Sequence, residues 1–365
     1  MLLSGRHTGR VNGRTIRVLD LVGDALERGR HHGRAFADEI REYAADRVRL
    51  SGIGTDLSRS ELLALAEECL PAHADYAPDL YEEMLAMAAA AGLTPAEALI
   101  VGGYTDFIDT VRAYAGSGPV EDNCTAVIVP DVVAVPGGGF LAQTWDMHAS
   151  ATPHVVMLRV RPEHGPAGLI FSTVGCLGQI GMNEAGIAVG INNLSAADGR
   201  VGVTWPFVVR RVLQQTDLVA AVKAITEADL AGAHNFLVLD AAGRGVNIEA
   251  MPSTSEVIEV DTEPYFHTNH CLTLGAASYE AARPPELIES SQRRLTDAAS
   301  LLSGRPVSEQ DLMAMTRDED WICRHPQPPF DYETCGAAIM RPATSEFWAC
   351  WGVPSENEYE RFVVG

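Results

Sequence analysis

No CxxC pair occurs in the 365 residues. The seven cysteines, Cys69, Cys124, Cys176, Cys271, Cys323, Cys335 and Cys350, are odd in number and scattered. That spacing argues against a zinc site or a disulfide framework and for reduced thiols. Neither a Walker-type phosphate loop nor a GxGxxG after a strand is present, so no cofactor is expected. Basic residues are scarce: 27 Lys and Arg face 49 Asp and Glu, a net charge of −22. Such a field opposes nucleic acid or an anionic membrane as partner, and its ordinary consequence is solubility. No apolar run is long enough to span a bilayer. The basic start "MLLSGRHTGRVNGR" has no apolar stretch behind it, and "ERFVVG" carries no peroxisomal or ER-retention signal, so the cytoplasm is the expected location.

What is present divides at about Gly118. Before it the spacing is helical: "DLVGDALERGRHHGRAFADEIREYAADRVRL" places apolar residues three and four apart, and "LTPAEAL" is a cap-Pro-Glu helix start. After the break "AYAGSGPVEDN" the period becomes two. "CTAVIVP", "GGFLAQTWDM", "PHVVMLRV", "GLIFSTVG", "GQIGMNEAG" and "GIAVGINNL" read as antiparallel strands joined by tight turns. Helices follow in "TWPFVVRRVLQQTDLVAAVKAITEADL". Strands return in "HNFLVLDAAGRGVNIEAM", "STSEVIEVD" and "PYFHTNHCL", and helices again from Ser278 to Leu302 and in "SEQDLMAMTRDED". Two last strands, "CGAAIMRP" and "EFWACWGVP", close the pattern. Strand runs separated by helix pairs predict an α+β protein: two antiparallel sheets packed face to face, helices outside, and a helical N-terminal segment.

Cys124 opens a strand directly after the polar, turn-prone "EDN". A small buried hydrophobe is the ordinary reading of a cysteine. At the mouth of a strand, however, its thiol could attack the carbonyl of Asn123 and shift the chain onto sulfur. Hydrolysis would then leave Cys124 as a new N-terminus. A freed α-amine, with a reference pKa of about 7.7–8.0, can serve as general base for its own thiol.

"DNCTAVIV", "AQTWDMHAS", "GQIGMNEAGIAVGINNL", "HTNHCL" and "WICRHP" follow one another in an order and spacing that resemble one family. The chain is similar to acyl-coenzyme A:6-aminopenicillanic-acid acyltransferases, which are cysteine-type N-terminal-nucleophile (Ntn) hydrolases. "GMNEAGIAVGINNL" also resembles choloylglycine hydrolases. The similarity runs from the "ERGRHHGR" helix to "WGVP". It implies a four-layer αββα sandwich and self-cleavage between Asn123 and Cys124. Residues 1–123 would then be a helical segment that stays bound through its apolar faces, and 124–365 the catalytic core.

By the same resemblance, Asp146 binds the freed α-amine, Asn269 donates to the oxyanion, and Arg324 orients polar groups and lowers the thiol pKa. Asn192 and Asn193 stand where relatives place a substrate-contacting asparagine, and which of them matches stays open. The family pattern has glycine before the cysteine. Asn123 restricts the backbone more, although asparagine is among the more permissive substitutes. His267 and His270 of "HTNH" look like metal ligands, but no further partners at ligand spacing accompany them, which argues against a metal.

The expected activity is hydrolysis of a linear amide in a small N-acylated compound through a Cys124 thioester. Acyl transfer from a CoA thioester or amide to a small amine is the alternative, and an unprocessed binding protein on the same fold is an alternative of another class. A papain-like protease would need its cysteine to open a long helix. The expected partners are an N-acyl amide or acyl donor and the two cleavage fragments for each other, with a homo-oligomer left open and neither nucleic acid nor membrane.

Overall fold

The computed structural model describes residues 15–119, 124–304, 306–326 and 331–365. The chain opens with strand β1 (Val18–Gly23) and five helices: α1 (Ala25–Ala35), α2 (Ala37–Ser51), α3 (Arg59–Tyr76), α4 (Pro78–Ala91) and α5 (Pro95–Ala115). Strands β2 (Thr125–Val129), β3 (Phe140–His148), β4 (Val155–Pro162), β5 (Gly168–Thr173), β6 (Ile180–Asn183) and β7 (Ile187–Asn193) follow. Helices α6 (Trp205–Val212) and α7 (Leu218–Thr226) separate these from β8 (His234–Asp240), β9 (Gly245–Met251), β10 (Thr254–Val260) and β11 (Tyr265–His267). The chain ends with α8 (Leu274–Ala277), α9 (Pro285–Leu301), α10 (Glu309–Thr316), β12 (Tyr332–Arg341), β13 (Glu346–Trp351) and β14 (Tyr359–Val363).

Two sheets result, an eight-stranded one in the order β1-β4-β5-β6-β7-β8-β9-β10 and a six-stranded one in the order β11-β2-β3-β12-β13-β14. Period-two alternation divides their side chains between two faces. Ala126, Ile128 and Leu141 of the smaller sheet meet Met157, Phe171, Ala188 and Leu237 of the larger one in the space between them. Their neighbours Val127, Val129, Phe140 and Ala142 point the other way, onto Ala298, Leu312 and Met315. The outer face of the large sheet, including Leu158, Val189, Ile191 and Val238, is covered by α3 to α7. The layers are therefore helix, sheet, sheet, helix, the αββα sandwich of the Ntn hydrolases.

Two edge strands depart from the expected pattern. β1 lies inside the segment read as helical, and it pairs with β4 in parallel, the exception in an otherwise antiparallel arrangement. Its "VLDLVG" alternates exposed and buried positions, but helical spacing begins within it and masked the strand. β14 continues past the two strands expected to close the chain, pairing with β13 as a partly exposed edge.

The N-terminal helices are set close to the sheets by local chemistry. Thr94 caps α5 with a reciprocal bond to Glu97, Pro95 fills the first turn, and Gly116 ends the helix in the left-handed conformation. Midway, Gly103 leaves helical geometry (φ −102°, ψ 32°), and a Cβ there would meet Thr204 at 2.5 Å. The bend lets α5 run along the sandwich without striking the segment before α6. Among the described residues no single helix is long and apolar enough to cross a membrane.

Candidate active site

Antiparallel register brings the nucleophile candidate and its neighbours together. β2 pairs with β11 so that Ala126 faces His267, and continuing that register sets Asn269 opposite Cys124. On the other side β2 pairs with β3, Thr125 facing Thr144, which places Asp146 just beyond the same end. Residues 145 positions apart thus meet at one corner, and the Cys124 backbone N–H donates to Asn269 Oδ1 at 2.8 Å.

The orientation of the Asn269 amide follows from its partners. Cys124 N–H and Arg294 Nη2, the latter at 2.9 Å, can only donate, so they face the carbonyl oxygen. The Asn193 carbonyl can only accept, and Nδ2 donates to it at 3.0 Å. Asn269 is fully buried, and its own N–H is held by Ser291 Oγ at 2.9 Å. The "HTNH" histidines belong to this support. His267 bonds Glu249 at 2.9 Å, both fully buried, and Glu249 also accepts from the backbone of Leu272 and Thr273. His270 Nδ1 meets Ser291 Oγ at 2.8 Å. Both rings brace the turn that carries Asn269.

Asp146 is buried, with the Thr334 and Thr144 hydroxyls and two guanidinium groups close to its carboxylate. Burial pushes its pKa up to about 7, against the pull of Arg294, the Thr334 hydroxyl, Arg324 and the Thr144 hydroxyl. A buried carboxylate poised near neutrality suits a new cationic partner.

Arg324 is anchored through its backbone N–H to Thr334 Oγ1 and through Nη1 to Ser290 Oγ, each at 2.9 Å. It acts on Asp146 by charge. Of the asparagine pair, Asn193 lines the cavity beside Cys124, whereas Asn192 points between the sheets and accepts from Asn235 at 3.4 Å. Asn123 lies outside the described residues.

Arg294 of α9 was not foreseen. Fully buried, it donates to the Cys124 carbonyl, to Thr125 Oγ1 at 3.1 Å and to Asn269. Its signal in the sequence is position: it shares the buried stripe of α9 with Ser290, Ser291 and Ala298, where an arginine is out of place unless it has buried acceptors. Cys124, Asp146 and Asn193 border a small cavity of about 30 Å³, closed on the far side by Tyr43, Arg47, Tyr104, Trp205 and His234. That volume holds about two waters.

A strand-opening cysteine, a buried carboxylate and a braced asparagine thus meet at one end of two stacked sheets, in the fold of Ntn hydrolases. A family profile described as "Acyl-coenzyme A:6-aminopenicillanic acid acyl-transferase" matches residues 133–356, more than half of the chain. The chain belongs to that family. Asp146, Asn269 and Arg324 lie inside the matched range, and Cys124 lies shortly before it. The chain is 27% identical over 308 residues to the "Acyl-coenzyme A:6-aminopenicillanic-acid-acyltransferase 40 kDa form" of Emericella nidulans, covering 83% of each protein. Among solved structures, a variant of conjugated bile acid hydrolase from Clostridium perfringens aligns at 10% identity and TM-score 0.46, over 66% of this chain and 97% of that one. Penicillin V acylase from Agrobacterium tumefaciens aligns at 12% identity and TM-score 0.38, over 62% and 82%.

Proposed function

We propose that the chain cuts itself before Cys124 and then hydrolyses a linear amide in a small N-acylated compound. The observation that carries this reading is the Asp146 carboxylate, buried on the same small cavity as Cys124. In the cut, Cys124 Sγ attacks the carbonyl carbon of residue 123, the C–N bond breaks, and the acyl chain passes to sulfur. Water then releases residues 1–123 as a carboxylate and leaves a free α-amine on Cys124. Protonated, that amine pairs with ionised Asp146. Neutral, it accepts the thiol proton.

In turnover the thiolate attacks the substrate carbonyl and the second hydrogen of Asn269 Nδ2 serves the oxyanion. The amine's proton goes to the departing nitrogen, leaving a thioester on Cys124. Water, activated by the same amine, attacks the thioester and regenerates the thiol. Arg294 and Arg324 favour the anionic form of Asp146. The family's name favours a second reading, in which a small amine or a CoA thiol enters in place of water.

Denaturing intact mass of wild type beside Cys124→Ala tests the cut. Division of 365 residues into 123 and 242 gives roughly 13 and 26 kDa of the 39.2 kDa total in wild type, with the variant whole. Wild type remaining whole with full amidase activity would exclude the mechanism, and wholeness without activity would bring forward the binding-protein reading. Adding a small amine during turnover separates the two reactions, since transfer yields a new amide and hydrolysis the free acid.

A further inference from the structure

The helices before Cys124 place on the same cavity a charged group that the cut and the thioester chemistry leave unused. Arg47 of α2 lies on the buried face with Ile40, Tyr43, Ala44 and Val48, and no part of it is solvent-exposed. Its Nη2 donates to Asp46 Oδ2 at 2.7 Å and to Ser150 Oγ at 2.9 Å. Tyr43 and Tyr104 flank the guanidinium, with ring centres 4.8 and 5.0 Å from its carbon. Nε and Nη1 are sealed from solvent and have no hydrogen-bond partner among the described residues.

Buried donors are almost always spent, and an unspent arginine donor against a cavity is the mark of an acceptor still to come. The local charge agrees. Asp46 is shared with Arg49, at 2.7 Å, so two guanidinium groups face one carboxylate. Burial holds His148 neutral nearby, and Asp106, outside the cavity lining, lies 2.7 Å from His234 Nδ1 and accepts from the Trp205 N–H at 2.6 Å. Asp146 is committed to the Cys124 end.

We propose that Arg47 anchors a carboxylate carried by the substrate, so that the enzyme selects anionic N-acyl compounds. The inference rests on the amide-hydrolase reading and adds the substrate's charge to it. Nη1, with both hydrogens unspent, donates to one carboxylate oxygen. The tyrosine faces hold the guanidinium in place, so little ordering is left to do on binding. A carboxylate is about the size of the two waters the cavity holds, so it fills the Arg47 side while the scissile amide stays at the Cys124 border, and it belongs to either the departing amine or the acyl group.

Two matched substrate pairs distinguish these sources. N-phenylacetylglycine and its primary amide carry the charge difference on the amine half. Glutaric acid mono-benzylamide and its primary amide carry it on the acyl half. Wild type should favour the anionic member of one pair by about 10- to 100-fold in kcat/KM, the range of one charge-assisted hydrogen bond. Arg47→Gln should bring that ratio close to one, and Arg47→Lys should keep part of it. The ratio is internal to each preparation and does not depend on how much variant folds. If Arg47→Gln does not fold at all, the wild-type and lysine ratios decide. Ratios near one for both pairs in wild type, or a preference unchanged in Arg47→Gln, overturn the anchor while leaving amide hydrolysis standing. If wild type cleaves none of the four, it is the hydrolase reading that fails. Protection of Cys124 from iodoacetamide then reads the anchor: the anionic compound must protect wild type better than its neutral partner, and equal protection overturns it.

Discussion

Asp146 shows how much of a site can depend on the surroundings of a single residue. An aspartate pushed up to about 7 by burial binds its proton more tightly folded than unfolded. Its ionisation therefore costs stability, beginning above the unfolded value near 4 and complete above about 7. The gap from 3.8 to about 7 is roughly three units, which caps the cost at about 4 kcal/mol. In the uncut Cys124→Ala background, Asp146→Asn should raise the unfolding free energy by about 2–4 kcal/mol at pH 8 and leave it unchanged at pH 4. Urea denaturation at the two pH values checks this. The same substitution in wild type should slow amide turnover by the cut protein at least tenfold, because an asparagine has no charge to pair with the ammonium; steady-state kinetics read that loss. In the cut enzyme the ammonium beside Asp146 draws its pKa below that of the uncut chain, so the acid limb of amide turnover should lie below pH 7.

At the scale of elements, the site depends on helices that hold the strand ends together. α9 delivers Arg294 to the Cys124 carbonyl, Thr125 and Asn269. Arg294→Met leaves those acceptors buried and unpaired, and should lower stability by about 3–5 kcal/mol and prevent the cut. Arg294→Lys, which retains a charge but not the planar fork, should recover part of the stability and little of the processing. α5 contributes the opposite wall of the cavity and depends on its bend. Gly103→Ala sets a Cβ against Thr204, whose hydroxyl bonds His73 at 2.9 Å. A loss of about 1–3 kcal/mol is expected, with substrate KM affected more than the rate of self-cleavage. Chemical denaturation together with steady-state kinetics separates the two effects.

For the molecule as a whole, the segment before Cys124 is part of the fold on both sides of the proposed cut. β1 is an edge strand of the large sheet, and α3 to α5 cover that sheet's outer face. The fragments should therefore co-elute as one species of about 39 kDa on native gel filtration and separate only in denaturant. Elution of a free N-terminal fragment would contradict this. Arg47 and Tyr104, both before the proposed cut, wall the cavity that Cys124 borders.

Strand alternation, the helix caps and the dispersed motifs were legible in the chain, because propensity and periodicity are local and the family signature is carried by residue identity. From these the sandwich, Cys124, Asp146, Asn269 and Arg324 could be picked out. β1 and β14 were not legible, because an edge strand is defined by a neighbour distant in sequence and half of its pattern faces solvent. Arg294 and Arg47 looked like ordinary helix charges, since burial of a guanidinium is decided by what packs over it. The choice of Asn193 over Asn192 for the cavity came from sheet pleat, which sends neighbouring side chains to opposite faces. The sequence by itself determined which chemical groups are available. Tertiary register alone decided which of them share a low-dielectric corner, and there proximity and desolvation set both the pKa of Asp146 and the partners of Cys124.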